Sequence, residues 1–227
     1  MAKKKQSFKD LCYILWEYYR WLILVITILI IFLTTFIGIQ LTKKTDAFSA
    51  FVINGYQHNQ SDELISRFAD FAQIDTNKSQ ISIECILIGE DNQADSYAVA
   101  QTIAALAASA RLDTVIMDTT LFSAYAHEGM FFNLEDCLTS EQIDALSEML
   151  YYVEKEQGQG LQSHGDLIIS KDPNNFSSPI PIGIDISDSK RFSDTFLYPN
   201  DDFCLGIVSS SNHKDNSVKF IEYLLLE

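Results

Sequence analysis

The chain has 227 residues, 47% of them hydrophobic, with 16 Lys and Arg against 31 Asp and Glu for a formal charge of −15. That balance repels phosphate backbones and argues against nucleic acid as a partner. Four cysteines with no CxxC pair and no Cys/His spacing argue against a disulfide framework and a structural zinc site.

The first element dominates the organisation. Trp21 to Leu41, WLILVITILIIFLTTFIGIQL, contains no charged residue, and as a helix at ~1.5 Å per residue it reaches about 30 Å, the thickness of a bilayer's hydrocarbon core. Lys3, Lys4, Lys5, Lys9 and Arg20 precede it and only Lys43 and Lys44 follow closely. The positive-inside bias predicts a cytoplasmic N-terminus and an extracellular remainder. Phe8, Leu11 and Leu15 at helical spacing continue the helix toward the N-terminus, and Trp16, Tyr18, Tyr19 and Trp21 form an aromatic belt. The run exceeds a signal-peptide core and no small-x-small site follows it, so it reads as a retained anchor. The expected division is a basic-aromatic cytoplasmic and interfacial segment over 1–20, a single transmembrane helix over 21–41, a linker over 42–46, and an extracytoplasmic domain over 47–227.

Beyond Lys44, nine Lys and Arg face 29 Asp and Glu, a formal charge of −20. This suits a solvated extracellular face, and secondarily a cationic ligand or peptide. The predicted elements begin with a strand over Ala47–Asn54, closed by Gly55. Ser61 caps a helix carrying Leu64, Ile65, Phe68 and Ala72. Ile81–Ile88 is a strand apolar on both faces, and 94–110 an alanine-rich helix with Val99, Ile103 and Leu106 inward. A third strand over Asp113–Met117 leads through Asp118-Thr119-Thr120 into a helical turn at Leu121–His127. Three strand–helix alternations predict crossover units on a mostly parallel sheet with helices on both faces.

Thr139 with Gln142 is a capping-box pattern, starting a helix with Ile143, Leu146 and Leu150 buried. Glu154 to Gly165 reads as a connection. Leu167–Ser170 is a short strand paired with Ile180–Ile186, Asp188–Asp202 is polar surface, Phe203–Val208 is a buried strand, and Asp215 or Asn216 caps a closing helix.

DTVIMDTTLFSAYAHEGMFFNLEDCL, residues 113–138, resembles the segment of bacterial extracellular solute-binding proteins in which a strand, a helix and a Gly-centred turn precede an Asn/Asp-Leu pair, here Val115–Met117, Gly129 and Asn133-Leu134. LGIVSSSNHKDNSVKFIEYLL near the C-terminus resembles that family's strand, Ser/Asn turn and helix. The resemblance implies a single α/β lobe of the type 2 periplasmic-binding kind, anchored in the membrane and associated with a transporter. Length for one lobe only leaves two-lobed capture without its second half.

Ser, Cys and His occur without a GxSxG elbow, and phosphate-binding glycine motifs are absent, so the sequence predicts no enzyme and no cofactor. His58, His127, His164 and His213 read as surface residues. Glu90-Asp91, Asp185/Asp188 and Asp201-Asp202 lack the calcium-loop pattern and read as solvated charge, with no metal site. Cys85 and Cys204 fall in apolar strand runs and are expected reduced and mostly buried, like Cys137.

Groups that bind sit past the carboxyl ends of parallel strands. The expected ligand or partner rim is therefore Asn54, Gly55 and Tyr56 with Glu90, Asp91, Asp118, Thr119 and Thr120. The competing role for Asp118 and the threonines is to cap the following helix. Two readings result, a solute-binding-like lobe and a scaffold subunit using the lobe as a protein interface. The partners implied are a membrane protein or a second copy, a small solute or a cationic peptide.

Overall fold

The computed structural model describes residues 8–42, 44–57, 59, 61–87, 93–154, 169–198 and 202–226, and the side chains of these except 8–15, 39–42 and 93–99. The chain divides between Lys44 and Thr45 into two compact units.

The first unit is one helix, α1 (Phe8–Thr42). Within it Trp16–Gly38, with mean hydropathy 2.7, is long and apolar enough to cross a membrane. The hydroxyls of Thr27, Thr34 and Thr35 donate to the carbonyls of Ile23, Ile30 and Ile31 one turn back. The apolar run thus carries no unsatisfied hydroxyl donor at these positions. α1 reaches Thr42 and the next strand starts at Thr45.

The second unit contains β1 (Thr45–Ile53), β2 (Tyr56–Gln57), α2 (Ser61–Ala72), β3 (Ser79–Ile86), α3 (Gln93–Ala108), β4 (Thr114–Asp118), α4 (Thr119–His127), α5 (Ser140–Ala145), β5 (Leu150–Glu154), β6 (Pro179–Asp185), α6 (Lys190–Ser193), β7 (Phe196–Leu197), β8 (Phe203–Ile207) and α7 (Lys214–Leu225). Six strands form one sheet in the order β3-β1-β4-β8-β6-β5, and β2 pairs with β7 in a separate ribbon. β1 lies parallel to both β3 and β4, as the strand–helix alternation predicts. The other three pairings, β4–β8, β8–β6 and β6–β5, are antiparallel. The sheet is therefore mixed rather than mostly parallel.

The cause lies in two stretches. Leu150-Tyr151-Tyr152-Val153 is β-prone by composition and forms β5 instead of extending the capped helix, which stops at Ala145. β6 consequently pairs with β5, while Ser170 makes only an isolated bridge to Tyr152; Leu167 and Ile168 lie outside the described residues. The late strand β8 then enters between β4 and β6 in the opposite direction.

Alternation along the strands feeds two cores. Phe48, Ala50 and Val52 of β1 face Phe68 of α2 and Phe220 of α7, with ring centroids about 5 Å apart. Phe51 and Ile53 face the other layer, with Ile103 of α3 and Phe122 of α4. There the rings of Phe122 and Phe131 stack at 4.0 Å between centroids, and an added β-carbon would stand under 3 Å from Phe122 at Gly183 and from both rings at Gly206. The helices thus flank the sheet on both faces.

α7 starts without a side-chain cap: His213 holds the N-cap position, and Asn216 instead donates from Nδ2 to the carbonyl of Ala47 at 2.8 Å. One of the two side chains expected to cap the helix thus ties it to β1.

Candidate functional site at the carboxyl rim of the sheet

β1, β3, β4 and β6 all run one way, so their carboxyl ends share one edge of the sheet with the start of β8, where Asp118 pairs with Phe203 and Asp185 with Cys204. The helical connections diverge between β1 and β4, the position where open α/β sheets leave a crevice. Here that crevice is filled. The Tyr198 hydroxyl sits 2.8 Å from the Ile53 carbonyl and 3.0 Å from the Ile116 carbonyl, sharing its proton between the last residue of β1 and the middle of β4. Its ring stacks on Phe203 at 4.3 Å between centroids, and Phe192 and Phe196 extend the cluster.

The described part of 188–202 is therefore only partly the polar surface expected: Asp188, Lys190, Ser193, Asp194 and Asp202 are exposed, but apolar side chains between them turn inward. Phe192 and Phe196 are buried, and three aromatics, Phe192, Phe196 and Tyr198, spaced through a polar segment were the signal for it. Burial, with Cys85, Asp118 and Cys204 nearby, pushes the Tyr198 phenol far above its ordinary range, so it stays a neutral donor.

Several expected rim residues flank this plug. Asn54 turns the chain out of β1 in the left-handed region (φ 60°) and donates from its N–H to the Ile86 carbonyl. Gly55 lies against the Tyr198 ring, and the Cys85 thiol donates to its carbonyl. Tyr56 is exposed and pairs with Leu197, also exposed, in the β2–β7 ribbon. Asp118 caps α4, its Oδ1 accepting from the Leu121 N–H at 2.9 Å. Thr119 and Thr120 open that helix, with Thr120 exposed. Glu90 and Asp91 lie outside the described residues, as do His58, His164 and Asp201.

Sequence reasoning missed two polar groupings. At the rim, Asp185 is paired with Lys171. Burial pushes the Asp185 carboxyl up, but the bonds from Lys171 and Ser187 outweigh it and hold the pKa below the usual carboxylate range. At the opposite end of β4, Asp113 is almost fully buried; Oδ2 accepts from the Ser49 N–H at 2.8 Å and Oδ1 from the Ser211 hydroxyl at 2.6 Å. His213 Nδ1 stands 3.2 Å from both oxygens, so this histidine is a half-buried partner rather than a surface residue.

Cys85, Cys137 and Cys204 are free thiols; Cys204 is buried and the other two half-buried. Among the described residues no group of three His, Cys, Asp or Glu side chains is arranged to hold a metal. A groove of about 820 Å³ opens beside the rim, bounded by Asp144, Glu148 and Asp188 with Lys190 and Arg191 over Leu224.

Compared with protein-family profiles, with curated proteins and with solved structures, the chain matches none.

Proposed function

We propose that this is a single-pass membrane protein that holds one α/β lobe outside the cell, resembling a lobe of a solute-binding protein. We read it as a non-enzymatic accessory subunit whose lobe is a protein interface. What supports the interface over solute capture is Tyr198: the crevice a ligand would enter is taken up by the chain's own ring, while Tyr56 and Leu197 stand exposed beside it. Paired aromatic and aliphatic side chains at an exposed rim suit a protein contact. The anchor reading is supported by Trp16–Gly38, and the orientation by the five-to-two Lys/Arg bias.

Solute capture is the second reading, favoured by the groove of about 820 Å³ with acidic and basic side chains on its walls. The molar mass of the detergent-extracted chain separates the two. A complex that Leu197→Asp dissociates is expected; a lone monomer that binds small zwitterionic solutes by calorimetry overturns the interface. Orientation is tested on intact cells, where an impermeant thiol reagent should reach a cysteine introduced at Gln159 and not reach Cys12.

A further inference from the structure

β3 is an outer strand of the six-stranded sheet. Its eight residues, Ser79-Gln-Ile-Ser-Ile-Glu-Cys-Ile86, contain neither proline nor lysine, and the one irregularity in its pairing is the extra residue on β1 between Asp46 and Phe48. Sheet edges are ordinarily blunted by such residues, by bulges or by a covering element, because an open ladder recruits other strands. Among the described residues no strand pairs with the outer side of β3.

The ladder fixes which groups face out. The carbonyls of Lys78 and Ile86 accept from Thr45 and Asn54, so even-numbered residues turn toward β1. By alternation Ile81, Ile83 and Cys85 direct their main-chain N–H and C=O outward. The side chains of this edge are also sorted. Ile81 and Ile83 are buried against the α2 layer, whereas Gln80 and Glu84 are exposed on the opposite face. The Ser82 hydroxyl donates to Glu84 Oε1 at 2.9 Å and steadies that carboxylate.

The geometry points to β3 as the docking edge for an extended segment of a partner protein, added as a seventh strand with basic residues alternating with apolar ones. This rests on the accessory-subunit reading and names its partner's chemistry. An added strand lies about 4.8 Å away, which sets a Lys or Arg side chain opposite Glu84 and an apolar one beside Ile83. Charge decides against a second copy as occupant: each would bring a formal −20 over residues 45–227 to the same contact.

The test uses the full chain in detergent micelles and a fluorescent peptide of alternating lysine and valine. Binding is expected, about tenfold weaker when a central proline interrupts the peptide. Ile83→Pro removes an outward N–H without touching the β1 bonds and should weaken binding as much. Glu84→Arg, with melting temperature unchanged, should shift preference to a glutamate–valine peptide. Equal binding of the interrupted peptide would mean attraction of charge without strand pairing and overturn the proposal. So would a dimer that Ile83→Pro dissociates, since a second copy then fills the edge. An intact membrane complex with no peptide binding sinks the edge alone; a monomer that binds the peptide through β3 sinks the accessory reading and leaves the edge.

Discussion

Gly55 and Tyr198 are fitted to one another: a β-carbon at position 55 would stand 3.0 Å from Tyr198 Cε2 and 2.7 Å from Val52 Cγ1. The ring can approach the end of β1 and the middle of β4 only because position 55 has no side chain. Gly55→Ala should therefore push the ring outward and destabilise the fold by about 1–3 kcal/mol. Tyr198→Phe keeps the ring but withdraws the proton shared by two carbonyls, at about 1–2 kcal/mol. Urea unfolding of both single variants and the double variant checks the coupling. Additive losses would mean that the two residues do not share a contact.

Asp113 joins three elements through one carboxylate, so its replacement is expected to cost more than that of any partner. Asp113→Ala strands the Ser49 N–H and the Ser211 hydroxyl in the interior and should destabilise the chain by about 3 kcal/mol. His213→Ala, removing a half-exposed partner, should cost about 1 kcal/mol. Denaturant midpoints at one pH rank them, and an equal ranking would show that the imidazole carries the network.

The cysteines give a pH prediction. Burial pushes the Cys137 thiol up to about 11, more than Lys214 lowers it. A thiol whose pKa is raised by folding stays protonated while the unfolded chain ionises, so its contribution to stability is intact below about 9 and lost as pH rises toward 11. Native alkylation of Cys137 should still be accelerating at pH 10, and Cys204, buried in β8, should stay unmodified until the protein unfolds. A rate for Cys137 that levels off near 9 would contradict this assignment.

Where apolar periodicity was unambiguous, the sequence was readable. Thr139 and Gln142 do form the capping box, and β1, β3 and β4 alternate with helices as their patterns require. Direction of pairing was not readable, because β8 carries an apolar run that fits a parallel or an antiparallel neighbour equally well. The ends of β1 and β4 were readable, yet what lies against these strands was hidden: Tyr198 lies 82 residues from Ile116 in sequence, and local pattern carries no trace of such a contact. Asp113 and His213, 100 residues apart, were invisible for the same reason.

The position of β8 bears on biosynthesis. Until residues 203–207 are available, the parallel group β3-β1-β4 and the β5–β6 pair have no common neighbour, and each exposes a strand edge. A chain delivered from its N-terminus cannot complete this sheet before those residues emerge. β8 is the shared neighbour of both groups, so its entry between β4 and β6 locks the two halves of the sheet together.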